Sequence, residues 1–191
     1  MEHGIMRKCI TTLVLLVVTL LSALPLFPTE DEYYRKAALF KIFCQYIQWP
    51  INSGITDRSK PFVIGVIGKN PFGYILEAAY SQEENKIKDK KVEIRYISKM
   101  EEIGNCHILF ISKSIEKEQE LEEILAVTRG KPILTIGESK GFAEKGVLFN
   151  LFISRDEIRF EINAQALRES RLIPASQLLS VAKIVGSLEA P

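Results

Sequence analysis

Gly137–Gly141 matches G-x-S-x-G, a pattern that holds the catalytic serine of some hydrolases. It follows a predicted strand, as the nucleophile elbow of a hydrolase would, and Ser139 would be the nucleophile. The serine needs a histidine to accept its proton, and in that fold the histidine follows it in the chain. The histidines are His3 and His107, and both precede Ser139. The match is therefore interpreted as chance, with its glycines marking a loop.

A second glycine-rich stretch, Pro61–Gly73, reads PFVIGVIGKNPFG and could cradle a phosphate. Its spacing fits neither the dinucleotide fingerprint G-x-G-x-x-G nor the phosphate loop G-x-x-x-x-G-K-S/T. We expect Phe62–Ile67 to be a buried central strand of a parallel sheet. Gly65 would then allow a close helix–strand contact, and Gly68 would make the turn that ends the strand.

Cysteine and histidine offer little for a metal site or a thiol nucleophile. Cys106 and His107 are adjacent in a predicted strand, so their side chains should point to opposite faces. Cys44 and Cys106 lie outside the N-terminal apolar run that contains Cys9. Either they form a disulfide that closes a loop of about sixty residues, or both are buried thiols. No constellation supports catalysis, and the sequence predicts a protein that is not an enzyme and has no metal or cofactor.

The N-terminus has the three-part pattern of a secretory signal. Arg7 and Lys8 precede Cys9–Leu24, an uncharged apolar run, and prolines and acidic residues follow. The run is short for a membrane span, so residues 1–23 are predicted to be a signal peptide that is cleaved after Ala23. An uncleaved membrane anchor is the alternative.

The chain has 191 residues, of which 47% are apolar. This length and composition predict a single domain, residues 31–187. The 25 basic and 24 acidic residues are balanced, which argues against a nucleic-acid partner. Strands alternate with helices, which predicts an α/β fold with a mostly parallel sheet covered by helices on both faces. This Rossmann-like three-layer arrangement has an antiparallel hairpin appended at residues 147–162.

The predicted first helix, Asp31–Gln48, carries two apolar stripes and little polar surface, so it must be covered on most sides. One stripe can face the sheet. The other needs either the predicted final helix, Leu178–Val185, or a partner protein. Trp49 follows the helix and is either an exposed interface anchor or a buried cap on the core.

Six stretches together resemble the YfiR family of exported bacterial proteins, over Tyr33–Val185. They are YIQWP at 46–50, FVIGVIGKNPFG at 62–73, CHILFIS at 106–112, ILTIGESKGFAEKG at 133–146, IRFEIN at 158–163 and SQLLSVAKIV at 176–185. Some members pair a cysteine matched by Cys106 with one in the opening strand. Ile64 and Gly65 stand there in this chain, so that bond cannot be carried over. Members often have a glycine where this chain has Arg171, so the turn after Ser170 is expected to differ.

The resemblance implies a periplasmic regulator with a compact α/β fold, often dimeric. The best-known members bind the periplasmic part of an inner-membrane diguanylate cyclase and repress it, and an outer-membrane lipoprotein can sequester the regulator. We therefore expect a partner-binding surface at Tyr46, Trp49 and Pro50. The alternative is a module that binds a small ligand in a crevice at the strand ends, near Gly68–Phe72 and Gly137–Phe142.

Overall fold

The computed structural model describes residues 30–82 and 84–186. From Glu32 onward these residues form one compact unit. The predicted signal peptide lies outside the described residues. Among the residues that are described, no helix is both long enough and apolar enough to cross a membrane.

A seven-stranded sheet forms the centre of the molecule, in the order β3-β2-β4-β5-β6-β7-β9. The strands are β2 (Phe62–Ile67), β3 (Val92–Ile97), β4 (Ile108–Ile111), β5 (Leu134–Gly137), β6 (Phe149–Ser154), β7 (Glu157–Asn163) and β9 (Lys183–Val185). All neighbours are parallel except β6 and β7, which form the predicted antiparallel hairpin. Two short strands, β1 (Ile47–Gln48) and β8 (Ile173–Pro174), pair antiparallel in a separate sheet.

The opening strand and its neighbour occupy the predicted positions. Every residue of β2 is buried, and β2 has a parallel strand on each side. An unbroken apolar strand of this kind needs cover on both faces. Apolar and charged residues alternate in Val92–Ile97, which predicts a strand near a sheet edge. This strand, β3, lies at the edge of the sheet.

Helices cover both faces of the sheet, which confirms the three-layer prediction. They are α1 (Glu30–Tyr46), α2 (Ile75–Tyr80), α3 (Glu118–Thr128), α4 (Ala164–Ser170) and α5 (Ser176–Val181), with 3-10 turns at Ile51–Ser53 and Met100–Asn105. Apolar residues of α1, α2, α4 and α5 share one core with the front face of the sheet. Those of α3 and the second 3-10 turn share another core with the back face.

Aromatic contacts fix α1 across the front of the sheet. The ring centroid of Phe40 lies 5.8 Å from that of Phe110 in β4. The ring of Phe43 lies 5.0 Å from both Phe149 in β6 and Phe160 in β7. Leu39, Phe43 and Tyr46 form the second apolar stripe of the helix, for which the sequence offered either the final helix or a partner protein as cover. Phe43 packs on the sheet instead. Aromatic pairs at these distances stabilise the packing of α1 beyond the effect of the apolar area that it buries.

The predicted final helix, Leu178–Val185, is wrong in its second half. Helix α5 ends at Val181, and Lys183–Val185 forms β9, which extends the sheet parallel to β7. Ile184 and Val185 are β-branched, and the outer edge of β7 offers unpaired backbone groups. The edge of the sheet therefore decides the structure of this segment.

Two side chains near turns have roles that depend on the fold. The sequence predicts a helix over Ile115–Thr128 with Ser114 as its cap, but α3 begins at Glu118, and the Ser114 hydroxyl accepts a hydrogen bond from the Lys69 backbone N–H at 2.8 Å. Arg171 adopts a left-handed conformation with φ of 60°. The turn after Ser170 thus has a conformation in which glycine is favoured, although arginine occupies the position.

Cys44 and Cys106 are both free and buried, which is the second of the two alternatives that the sequence left open. Cys44 belongs to the front core and Cys106 to the back core, so the sheet separates the two thiols. Burial raises the pKa of the Cys106 thiol to about 11. The Cys106 sulfur lies 2.6 Å from where a Cβ on Gly65 would stand. The glycine therefore makes room for a cysteine side chain, where a helix contact was expected.

Candidate partner-binding surface

Helix α1 has an apolar face that the rest of the described chain does not bury. Tyr34, Ala38, Ile42 and Tyr46 follow one another at four-residue spacing, which places them on one side of a helix. Tyr34 is 52% exposed, Ile42 is 42% exposed and Tyr46 is 41% exposed. We call these four residues the α1 outer face. Large apolar side chains that are exposed together are typical of interaction sites.

Positive charge flanks the α1 outer face. At about 100° per residue, Arg35 and Lys41 project on opposite sides of the line through the four residues. The segment from Tyr34 to Gln48 contains no acidic residue. The guanidinium of Arg35 donates a hydrogen bond to the backbone oxygen of Asp156 at 3.2 Å and stays at the surface.

The small sheet continues this surface beyond the end of α1. The Ala175 N–H donates to the Tyr46 carbonyl at 2.7 Å, and Gln48 lies opposite Ile173. Side chains of residues directly opposite each other in an antiparallel pair point to the same side. Ile173 is 62% exposed. It therefore adds apolar area next to the C-terminal end of the α1 outer face.

The three predicted surface residues have different environments. Tyr46 is exposed, Pro50 is half-buried, and Trp49 is only 7% exposed. The Trp49 indole N–H donates to the Pro132 carbonyl at 3.0 Å, and its ring packs edge-on against Phe62 at 5.9 Å. Trp49 thus anchors the end of α1 and β1 to the sheet from beneath.

A buried ion cluster holds the N-terminal half of α1 in place. The Lys36 ammonium lies 2.6 Å from a carboxylate oxygen of Glu138 and 2.5 Å from one of Glu32. The Lys36 and Glu138 side chains are only 5% and 2% exposed. Glu138 also accepts hydrogen bonds from the Tyr33 hydroxyl and the Lys113 N–H, each at 3.2 Å. Buried charges are tolerated when paired and hydrogen-bonded in this way.

The ion cluster occupies the crevice that the sequence suggested for a small ligand at Gly137–Phe142, because Glu138 follows β5 directly. At the other suggested position, Gly68–Phe72, the side chain of Asn70 bonds the Phe72 N–H and the Gly73 carbonyl, each at 2.9 Å. At both strand ends a side chain of the protein itself hydrogen-bonds the groups around it. Sequence reasoning missed the cluster because Lys36 and Glu138 are far apart in the chain and neither lies in a motif.

His107 is engaged in the fold. Its Nδ1 accepts a hydrogen bond from the Val63 N–H at 3.0 Å, and its ring stacks on Phe62 at 4.6 Å. Burial, with the charges of Lys90 and Arg95, lowers the pKa of the imidazole to about 4. Within the described ranges, no three His, Cys, Asp or Glu side chains gather closely enough to hold a metal ion.

Comparison with known proteins gives one family. Residues 33–183 match a family model that is described as YfiR/HmsC-like. The match covers most of the chain and includes every element from α1 to the first residue of β9. No curated protein matches the sequence.

Proposed function

The chain belongs to the YfiR/HmsC-like family, and we propose that it is a non-catalytic periplasmic regulator. It binds the periplasmic domain of an inner-membrane signalling protein, a diguanylate cyclase or a related sensor, and holds that protein inactive. The observation that carries this proposal is the α1 outer face, an apolar surface left exposed on a helix that is rigidly held beneath. Binding at this face, with Tyr46 among its residues, accounts for control without catalysis.

Repression follows from occupancy. The aromatic packing under α1 and the Lys36–Glu138 pair fix the helix before any partner arrives. A preformed surface loses less conformational entropy on binding, so more of the apolar contact energy remains as affinity. Tyrosine is one of the residue types that most often contribute a large share of the binding energy of an interface. We therefore expect Tyr34 and Tyr46 to contribute to binding at this face. Release would require either a competing binder or a change in a homodimer. The family resemblance supplies an outer-membrane lipoprotein as the candidate for the competing binder.

The test replaces Ile42 with aspartate in the full chain, expressed in its own bacterium. A charge at the centre of the apolar face should prevent docking, so cyclic di-GMP should rise to the level of a deletion strain. Tyr74→Ala is the matched control, because Tyr74 is an exposed aromatic residue outside α1, and this variant should repress normally. The proposal fails if deletion of the gene leaves cyclic di-GMP unchanged.

A ligand-binding module is the second candidate, and one cavity favours it. A cavity of about 270 Å³ lies between the end of α3, the segment before β6 and α4, with Arg129, Lys145 and Glu169 in its lining. It is at the amino-terminal end of β5 and β6, away from the crevices that the sequence suggested. Thermal unfolding of the purified protein with amino acids and small carboxylic acids tests it, since a bound ligand raises the melting temperature. Arg129→Ala should then remove the shift.

A further inference from the structure

We propose that the partner segment docked on the α1 outer face is an apolar ridge flanked by aspartate or glutamate side chains. This inference rests on the proposed function and names the chemistry of the partner. It begins from the shape of the face. Ala38 lies in the line of exposed residues between the larger Tyr34 and Ile42, so the line has a shallow depression. A ridge of apolar side chains from a helix fits such a depression closely.

The positive charges beside the α1 outer face determine which kind of partner can bind there. Arg35 and Lys41 stand on either side of the apolar line, and the acidic residues of α1, Glu30–Glu32, all precede Tyr34. Complementary charge at the rim of an interface raises the association rate and excludes partners of the same sign. A carboxylate beside the partner ridge would meet the Lys41 ammonium.

The same charges argue against a second copy of the chain at this face. Two antiparallel α1 helices that cross midway between Ala38 and Ile42 bring the two Lys41 residues next to the symmetry axis. Like charges set against each other in this way are unfavourable. A homodimer would therefore use another surface, and the α1 outer face stays available to the signalling partner.

Photo-cross-linking tests the occupant directly. A photoreactive amino acid replaces Ile42 in the full chain in its own bacterium, and the cross-linked peptide is identified by mass spectrometry. We expect a periplasmic segment of an inner-membrane protein in which apolar residues at helical spacing are flanked by carboxylates. A cross-link to a second copy of this chain, or no cross-link, would overturn the inference.

Reversing the charge of Lys41 tests whether charge complementarity contributes to docking in addition to apolar contact. Lys41→Glu should lower the cross-linking yield about tenfold, and replacing the facing carboxylate of the partner with lysine should restore it. Lys117→Glu, at an exposed lysine before α3, should have no effect. Equal yields for Lys41→Glu and Lys117→Glu contradict the inference but leave the proposed function standing. That function is tested separately by cyclic di-GMP in the deletion strain.

Discussion

His107 ties the start of β4 to β2 through a hydrogen bond that requires an unprotonated Nδ1. The pKa of the folded imidazole is about 4, whereas an unfolded histidine titrates near 6.5. Between these values the unfolded chain binds more protons, so the free energy of unfolding falls as pH drops from about 6.5 towards 4. Because the ring is only partly buried, we expect the histidine to contribute about 1–2 kcal/mol to this loss.

The matched variant is His107→Asn, whose amide oxygen can accept the same hydrogen bond from Val63 but does not titrate. Denaturant unfolding between pH 4.5 and 7.5 measures the difference. The variant should show a flatter dependence of stability on pH than the natural protein, although the loss of stacking on Phe62 lowers its stability at every pH. Identical slopes for the two proteins would show that His107 does not carry the effect.

The contact between Gly65 of β2 and Cys106, which lies two residues before β4, can be tested with a disulfide. A Cβ at position 65 would lie beside the Cys106 sulfur, so Gly65→Cys should form a disulfide with Cys106 under oxidising conditions. The closed loop has about 40 residues, and the chain-entropy model gives about 3–4 kcal/mol of stabilisation before any strain. Thiol labelling of the unfolded protein should then leave Cys106 unmodified.

Ile64→Cys is the control for this prediction. Ile64 faces the front core, whereas Cys106 lies in the back core. Successive side chains of a strand point to opposite faces, so a thiol at position 64 should stay free and both cysteines should be labelled. Reactive Cys106 in both variants would contradict the placement of Cys106 over Gly65.

Lys36 and Glu138 join the first helix of the described chain to a loop that follows the fourth strand of the central sheet. Removing Lys36 leaves the buried Glu138 carboxylate without a cation, and we expect about 3–5 kcal/mol of destabilisation for Lys36→Met. Glu138→Gln should cost less, because Glu32 still pairs with the Lys36 ammonium at 2.5 Å. The double variant should lose less than the sum, with a coupling of at least about 1 kcal/mol. Guanidinium unfolding measures all three variants. Additive losses would mean that the two side chains do not act as a pair.

Local patterns predicted much of the architecture. The buried run at Phe62–Ile67, the alternating strand at Val92–Ile97 and the hairpin at residues 147–162 have the structures that their periodicity indicates. Asn163 accepts a hydrogen bond from the Ala166 N–H at 2.7 Å, as a helix cap should. These features depend on residues within a few positions of one another, so the sequence carries them directly.

Long-range contacts determine the features that were predicted wrongly from the sequence. The residues after α5 became a strand because β7 offered an open edge, and Ser114 bonded Lys69 instead of capping its own helix. Cys44 and Cys106 are an even pair of cysteines and were therefore plausible disulfide partners, but the sheet lies between them. Each outcome depends on a neighbour that is distant in the chain, which periodicity does not report.

The first helix combines both kinds of information. The sequence by itself determined that the helix has more apolar surface than one contact with a sheet can cover, and that the chain lacks a histidine placed to serve Ser139. Only the tertiary structure decided which side is buried: Phe40 and Phe43 meet the sheet, Lys36 meets Glu138, and Tyr34, Ile42 and Tyr46 stay exposed. The physical reason is that a helix fixes the angles between its side chains, but its partners across the fold choose the face that is buried.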